Sequence, residues 1–470
     1  MNSKAKTVKT QVTNEDLNAK TSAIQKNLVA KTWLELESHG KFDKNGKLDF
    51  IKEDMLIVGC DVGSDTHYLR AIDTRGKELS KTAFRFENNE AGLKAAFDWM
   101  LSLAAVNVKT QIVMGLKPTG HYWFCLTAWM LSHGITVVQV NPYAVNRTKE
   151  VEDNSQNKND RKDPKVIANL VKDGNYGVPY LPEDDYATLR SLSTLRSELV
   201  ENRTRATNRL HRELKIHVPE YKGMFGTPDG AFALTLLKEA PVPEDIVALG
   251  PDGIKKVWKD AGLRGRGYST IDHIIELAKH SIGLTSDVVA AKESIKIWIE
   301  EIQSLDENIK RIEAMLEEIC GKIQFADNIQ EIPGIASIIK AGIIAEMGDI
   351  RRFDDVKELQ KLSGLSLVAC SSGQHKGETK ISHRGRKRLR SWLYMAAGCA
   401  VASSEEFAKL HEYYTTRPDN PLKKKQSLIV IACKILRIIF AMLRTGKKYD
   451  PQKMMADIKR HETVSPAAAA

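Results

Sequence analysis

Between Met55 and Val140 the apolar residues are spaced as only a mixed sheet requires. MLIVGCDVG is an apolar run of strand length, HYLRAID is a second, and TAFRFE alternates as a third, with TRGK turning the chain between the last two. Short connections of this kind join antiparallel neighbours, so the three strands form a meander. The pattern then changes to a helix from Asn89 to Ala104, a strand at QIVMGL, a helix after the Pro118-Thr119-Gly120 break, and a strand at ITVVQV closed by Asn141-Pro142. Strands separated by helices pair in parallel, and a meander followed by such crossovers predicts one sheet of mixed sense.

The expected architecture is therefore α/β plus α. A ribonuclease H-like mixed sheet occupies 55–181, after a Lys- and Asn-rich extension over 1–54 with little fold of its own beyond a short helical patch near Ala30 to Leu36. Residues 182–322 read as a helical linker and coiled coil, 323–456 as a mainly helical domain, and 457–470 as a tail. From Pro182 to Val218 one long helix, or a broken pair, carries Arg190, Arg196, Arg203 and Arg209 six or seven residues apart on roughly one face. Such a stripe is either a solvated face or a track along a nucleic-acid backbone, and the second reading is adopted. Ile295, Trp298, Ile302, Leu305, Ile309, Ile312, Leu316 and Ile319 alternate by threes and fours, a coiled-coil seam that pairs within the chain or between subunits. Its regularity leads us to expect a homo-oligomer, a dimer or tetramer. In the last domain IQEIPGIASIIKAGIIAEMGDI sets Pro333-Gly334 between apolar helices, like a helix-hairpin-helix, and RLRSWLYMAAGCAVA and KKKQSLIVIACKILRIIFAMLR read as scaffold helices.

Composition narrows the partners. With 70 Lys and Arg against 60 Asp and Glu the formal charge is +10, which favours a polyanion. Six cysteines stand far apart with no close pair, which argues against a zinc module or a secreted disulfide framework. No apolar run is read as reaching membrane-spanning length and no signal peptide is recognised, so a cytoplasmic protein, held on the nucleoid when bound to DNA, is expected. Glycines Gly63, Gly120 and Gly373 are isolated and match no cofactor fingerprint.

Two sets of residues carry chemistry. Asp61 ends the first strand just before Val62-Gly63, and Asp160 and Asp163 lie three apart at a helix start, on one face. Acids at a helix start also favour the macrodipole. Joined by Asp61, however, three converging carboxylates need a neutralising cation, and hard oxygen donors suit Mg²⁺ in phosphoryl transfer. Ser371-Ser372-Gly373 is followed by Lys376, Lys380, Arg384, Arg386, Lys387, Arg388 and Arg390 against the single acid Glu378. Serine and glycine favour turns for local reasons, but the basic run makes a phosphodiester the natural neighbour of a serine nucleophile.

The motifs GCDVGSDTH, KPTGHYW, VNP, NKNDRKD, IPGI, AEMGDIRRF and SSG followed by the basic arm, in this order from about Met55 to Arg444, resemble the transposases of insertion-sequence family one-ten (IS-one-ten), relatives of the Piv invertase. The resemblance implies a RuvC-like domain with a DEDD metal site, a second domain bearing a catalytic serine, and a structured noncoding guide RNA that bridges donor and target double-stranded DNA. By position it makes Asp61 the first acid, Asp160 and Asp163 the last two, and Ser372 the nucleophile in preference to Ser371. It departs at the second acid, where Lys117 precedes Pro118-Thr119-Gly120. A charged lysine cannot ligate Mg²⁺, so an impaired or lysine-adapted site is expected. The function implied is RNA-guided recombination through a phosphoserine. The rivals are a RuvC-like nuclease or junction resolvase and an inactive nucleic-acid-binding homologue.

Overall fold

The computed structural model describes residues 14–37, 42–153, 162–227, 229–264, 267–368, 371–372, 375–376 and 379–455, giving only the backbone path at 14, 151–153, 371–372 and 375–376. The chain divides into two units, Met1–Pro182 with Asp349–Leu359, and Glu183–Gly348 with Gln360–Ala470.

In the first unit α1 (Asn14–Asn27), α2 (Trp33–Glu37) and α3 (Lys44–Phe50) precede a five-stranded sheet of β1 (Met55–Val62), β2 (Thr66–Ile72), β3 (Phe84–Glu87), β4 (Gln111–Lys117) and β5 (Thr136–Gln139). The spatial order is β3-β2-β1-β4-β5. The first three strands pair antiparallel, and β4 joins β1 and β5 in parallel, as the meander and crossovers require. Helices α4 (Glu90–Val106), α5 (Trp123–Ser132), α6 (Pro142–Asp153) and α7 (Asp163–Lys172) complete the unit. β1 is buried along its whole length because both its faces are covered. Leu56, Val58 and Cys60 pack into one core with Phe97 and Met100 of α4 and Leu126 and Met130 of α5. Met55 and Ile57, on the opposite face, pack with Val166, Ile167 and Val171 of α7.

The N-terminal segment is not a foldless extension over its described residues. α1 packs on α4, Leu28 joins the sheet core, and Lys31 N–H donates to Thr136 Oγ1 at 2.9 Å. Trp33 meets Tyr180 edge-on at 5.4 Å, and the Tyr176 hydroxyl donates to the Lys47 carbonyl at 2.8 Å. These few apolar and aromatic anchors use the sheet domain as their core, so the segment itself shows no strong periodicity. The segment Asp349–Leu359 belongs to the same unit: Asp349 N–H donates to the Tyr180 hydroxyl at 3.1 Å, and the Arg352 guanidinium lies 3.6 Å from the Tyr180 ring centre.

The second unit begins with α8 (Asp184–His217), a single continuous helix, followed by α9 (Tyr221–Phe225), α10 (Ala231–Glu239), α11 (Pro243–Asp260), α12 (Tyr268–Lys279) and α13 (Val288–Lys322). α8 and α13 pack along one another, and Arg196, Arg203 and Arg209 meet Glu313, Asp306 and Trp298 in reverse order, so the pair is antiparallel. Ile295, Ile302, Ile309, Ile312, Leu316 and Ile319 are buried in this pairing. The seam is therefore filled within the chain, and its regularity gives no ground for self-association.

A 3-10 turn (Ala326–Glu331), α14 (Ser337–Met347), α15 (Val356–Ser363), short strands β6 (Leu367–Val368), β7 (Ser371–Ser372), β8 (His375–Lys376) and β9 (Lys380–Ile381), and then α16 (Lys387–Ser403), α17 (Glu405–Thr416) and α18 (Lys424–Thr445) follow. Pro333-Gly334 thus follows a 3-10 turn where the hairpin reading expected a full helix. α18 is, by length and composition, apolar enough to cross a membrane, contrary to the sequence reading. It packs against α16 and α17, with Ile431, Ile435, Leu436 and Ile439 fully buried, as a core helix does.

Candidate active site

The carboxylate cleft is set by strand alternation and two glycines. Asp61 and Lys117 are register partners at the C-terminal ends of parallel β1 and β4, and Gly59 and Gly115 are partners two residues earlier, on the same sheet face. A β-carbon on Gly59 would fall 1.8 Å from the Pro164 carbonyl oxygen, and one on Gly115 would fall 2.3 Å from Val171 Cγ2. The missing side chains let α7 lie directly on the sheet. Its first residue, Asp163, is thereby brought to the strand ends, where open α/β sheets present their sites.

There the charges interlock. Lys117 Nζ lies 2.8 Å from Asp61 Oδ1 and 3.0 Å from Asp163 Oδ2, and Lys149 Nζ of α6 lies 2.6 Å from Asp163 Oδ1. Asp61 and Asp163 are 7% and 6% exposed, so their charge has little water to stabilise it and depends on these partners. Burial works to lower the Lys117 pKa, but hydrogen bonds and attraction from Asp61 and Asp163 outweigh it and hold the ammonium above its ordinary value. Burial likewise works to raise Asp163, and Lys149 and Lys117 outweigh it, holding the carboxyl below the usual range. The Lys117 ammonium and the Asp163 carboxylate thus each favour the charged form of the other.

The described donors do not fit a Mg²⁺ ion between Asp61 and Asp163. An ammonium stands at hydrogen-bond distance from both, in the space where a cation about 2.1 Å from each oxygen would lie. Among the described residues no group of three or more His, Cys, Asp or Glu could hold a metal. The remaining expected acid, Asp160, lies outside the described residues. Lys149 was missed by sequence reasoning, because no spacing distinguishes it from the other lysines.

Ser371 and Ser372 form β7, paired antiparallel with β8 so that Ser371 stands opposite Lys376 and Ser372 opposite His375. The β6·β9 pair brackets this ribbon, with Leu367 and Val368 exposed.

The basic residues divide in two. Lys380, Arg384 and Lys387 are exposed. Arg386 donates to the Glu346 carbonyl at 2.6 Å, Arg388 to Thr194 Oγ1 at 2.7 Å and Arg390 to the Ser363 carbonyl at 2.9 Å. Each of these three is engaged by a protein group of its own unit, where the sequence reading placed it on phosphate. Three arginines of the α8 stripe also have partners within the unit. Arg203 donates to Asp306 Oδ1 at 2.5 Å and to Asp229 Oδ2 at 3.2 Å, Arg196 donates to Glu313 Oε1 at 2.8 Å, and Arg209 lies 4.8 Å from the Trp298 ring centre. Arg196 and Arg203 thus tie α8 to neighbouring acids, while Arg209 stays exposed beside Trp298. Arg190 is half-buried on the same helix, and the side chain of Lys376 lies outside the description.

Comparison with known proteins finds two family models along the chain. A model of IS110 DEDD type, described as a transposase, matches residues 58–219, and a model described as Transposase IS116/IS110/IS902 family matches residues 326–415. The chain is 26% identical to the insertion element IS116 uncharacterized 44.8 kDa protein of Streptomyces clavuligerus, over 85% of this chain and 97% of that protein. It is 22% identical to the transposase for insertion sequence element IS1111A of Coxiella burnetii, over 84% of this chain and 92% of the relative. A pilin gene-inverting protein of Moraxella bovis is 28% identical over 34% of this chain and 48% of its own length. With both models matched in order and relatives aligned over nearly their full length, the chain belongs to the IS116/IS110/IS902 family of transposases, enzymes of DNA recombination.

Proposed function

We propose that this transposase is a site-specific recombinase that breaks and rejoins double-stranded DNA through a serine ester, with Ser372 as nucleophile. Ser372 Oγ attacks a phosphodiester phosphorus, the Ser–O–P bond forms as the P–O bond to one deoxyribose breaks, and the proton given up by the serine balances the one taken by the departing sugar hydroxyl. A hydroxyl on the second DNA reverses the step and restores the serine, so the ester conserves the bond energy for religation. The observation that carries this reading is the place of Ser371-Ser372. It lies inside the matched segment 326–415, on a ribbon followed by exposed Lys380, Arg384 and Lys387, which suit phosphate oxygens.

The strand order β3-β2-β1-β4-β5 supports a RuvC-like, ribonuclease H-like assignment for the sheet unit. A structured guide RNA pairing with donor and target DNA is supported by the motif resemblance and by the +10 charge. The test incubates the protein, its neighbouring noncoding RNA and a DNA carrying the element junction, and looks for a protein–DNA adduct that survives denaturation. An adduct lost in Ser372→Ala supports the proposal. Strand cleavage that persists in Ser372→Ala without an adduct means that water attacks, as in a nuclease or junction resolvase.

A further inference from the structure

We propose that the acidic cleft carries its own counter-cations, with the Lys117 ammonium standing where a divalent ion would otherwise bridge Asp61 and Asp163. Asp61 and Lys117 are fixed as neighbours by the β1–β4 register, and Asp163 is fixed by the contact of α7 with the glycines of the sheet. The backbone therefore delivers both carboxylates and the root of the Lys117 side chain to this point, and the two ion pairs hold its ammonium there. Nζ contacts one oxygen of each acid, and Lys149 takes the second described oxygen of Asp163.

Among the described residues the ion pairs set two acids, Asp61 and Asp163, against two lysines, Lys117 and Lys149. A divalent ion entering between the acids would have to displace a tethered ammonium from two charge-assisted hydrogen bonds and then sit beside its charge. Mg²⁺, which sheds its water reluctantly and needs near-octahedral oxygen geometry, is poorly matched to that exchange. An ammonium stabilises charge at a point but does not orient several oxygens or acidify a bound water. The cleft is thus a pre-neutralised, metal-independent element. This inference rests on the family reading of the cleft and not on the serine chemistry, so binding rather than turnover tests it.

The experiment titrates Mn²⁺ into the full-length protein and follows the free-ion paramagnetic resonance signal, with thermal unfolding in Mg²⁺ alongside. The quantity read is the difference between wild type and Asp61→Asn, which cancels any ion bound elsewhere. No difference is expected for the native chain. Lys117→Glu should gain one Mn²⁺ site per chain, lost again in Lys117→Glu/Asp61→Asn, and its melting temperature should become dependent on Mg²⁺. Lys117→Ala, which removes the ammonium without adding a third acid, should gain a weaker site and covers the case in which Lys117→Glu does not fold. A wild-type site that disappears with Asp61→Asn overturns the proposal. So does the absence of any gain in both folded Lys117 variants, because the ammonium would then not be what keeps the ion out.

Discussion

Gly59 of β1 and Pro164 of α7 approach so closely that a single methyl group on the glycine would lie 1.8 Å from the proline carbonyl oxygen. The contact determines how far Asp163 stands from Asp61 and Lys117. Because the obstacle is backbone, it cannot rotate aside as a side chain could. Gly59→Ala should destabilise the sheet unit by roughly 3 kcal/mol, the upper end of what overpacking a tight core costs. Urea denaturation followed by tryptophan fluorescence reads this. A variant as stable as wild type would mean that α7 does not rest on the sheet at this point.

A second consequence of the same sheet concerns pH. His67 of β2 is fully buried, with its ring 5.0 Å from that of Phe86. Burial holds the imidazole below its ordinary pKa, with the Asn88 side chain opposing the shift. In the unfolded chain His67 takes up a proton near pH 6.5, whereas in the folded chain it does so only at lower pH. The folded state therefore binds fewer protons in that window. Its stability is fully present above about pH 6.5 and is lost as pH falls toward the folded-state pKa. The urea midpoint should drop between pH 7.5 and 5.5, and His67→Phe should flatten that drop. An equally steep pH profile in the variant would assign the dependence to other groups.

Arg203 tests what the α8 stripe is for. Its guanidinium is shared by Asp306 and Asp229, all three partly exposed, so the cluster contributes about 1 kcal/mol. Arg203→Met should lower stability by about that amount and leave both DNA affinity and its salt dependence unchanged. Lys387→Ala should do the reverse, weakening binding across sequences and reducing the log–log salt slope by about 1. A loss of salt slope in Arg203→Met would return the stripe to the DNA.

Much of the fold was legible because burial writes a period into the sequence. MLIVGCDVG and QIVMGL had to be strands, and the threes and fours from Ile295 to Ile319 had to be a helical seam. What the period does not record is the partner. Arginines six or seven apart describe a stripe facing DNA and a stripe facing α13 equally well, and the acids that meet Arg203 and Arg196, Asp306 and Glu313, lie about a hundred residues away. In the cleft Asp61 and Asp163 were legible from type and position, and so was the anomaly at Lys117. Lys149 was not, since it reaches Asp163 from another helix. The readable hint of close packing was Gly59 and Gly115 inside two apolar strands, where a glycine marks another backbone nearby.

The ribbon gives Ser371 and Ser372 different register partners, and the motif resemblance favours Ser372. Ser372 is the register partner of His375, and Ser371 is the partner of Lys376. If Ser372 is the nucleophile, Ser372→Ala should abolish the covalent adduct, while Ser371→Ala should retain it with a yield reduced by less than about tenfold, the size of a lost supporting hydrogen bond. Ser372→Cys should form a thiophosphate-linked adduct more slowly, since the longer thiolate misplaces the attacking atom. Gel mobility after denaturation, followed by peptide mapping of the nucleotide-bearing residue, distinguishes these outcomes. An adduct mapped to Ser371, or one that survives in Ser372→Ala, would move the nucleophile off Ser372.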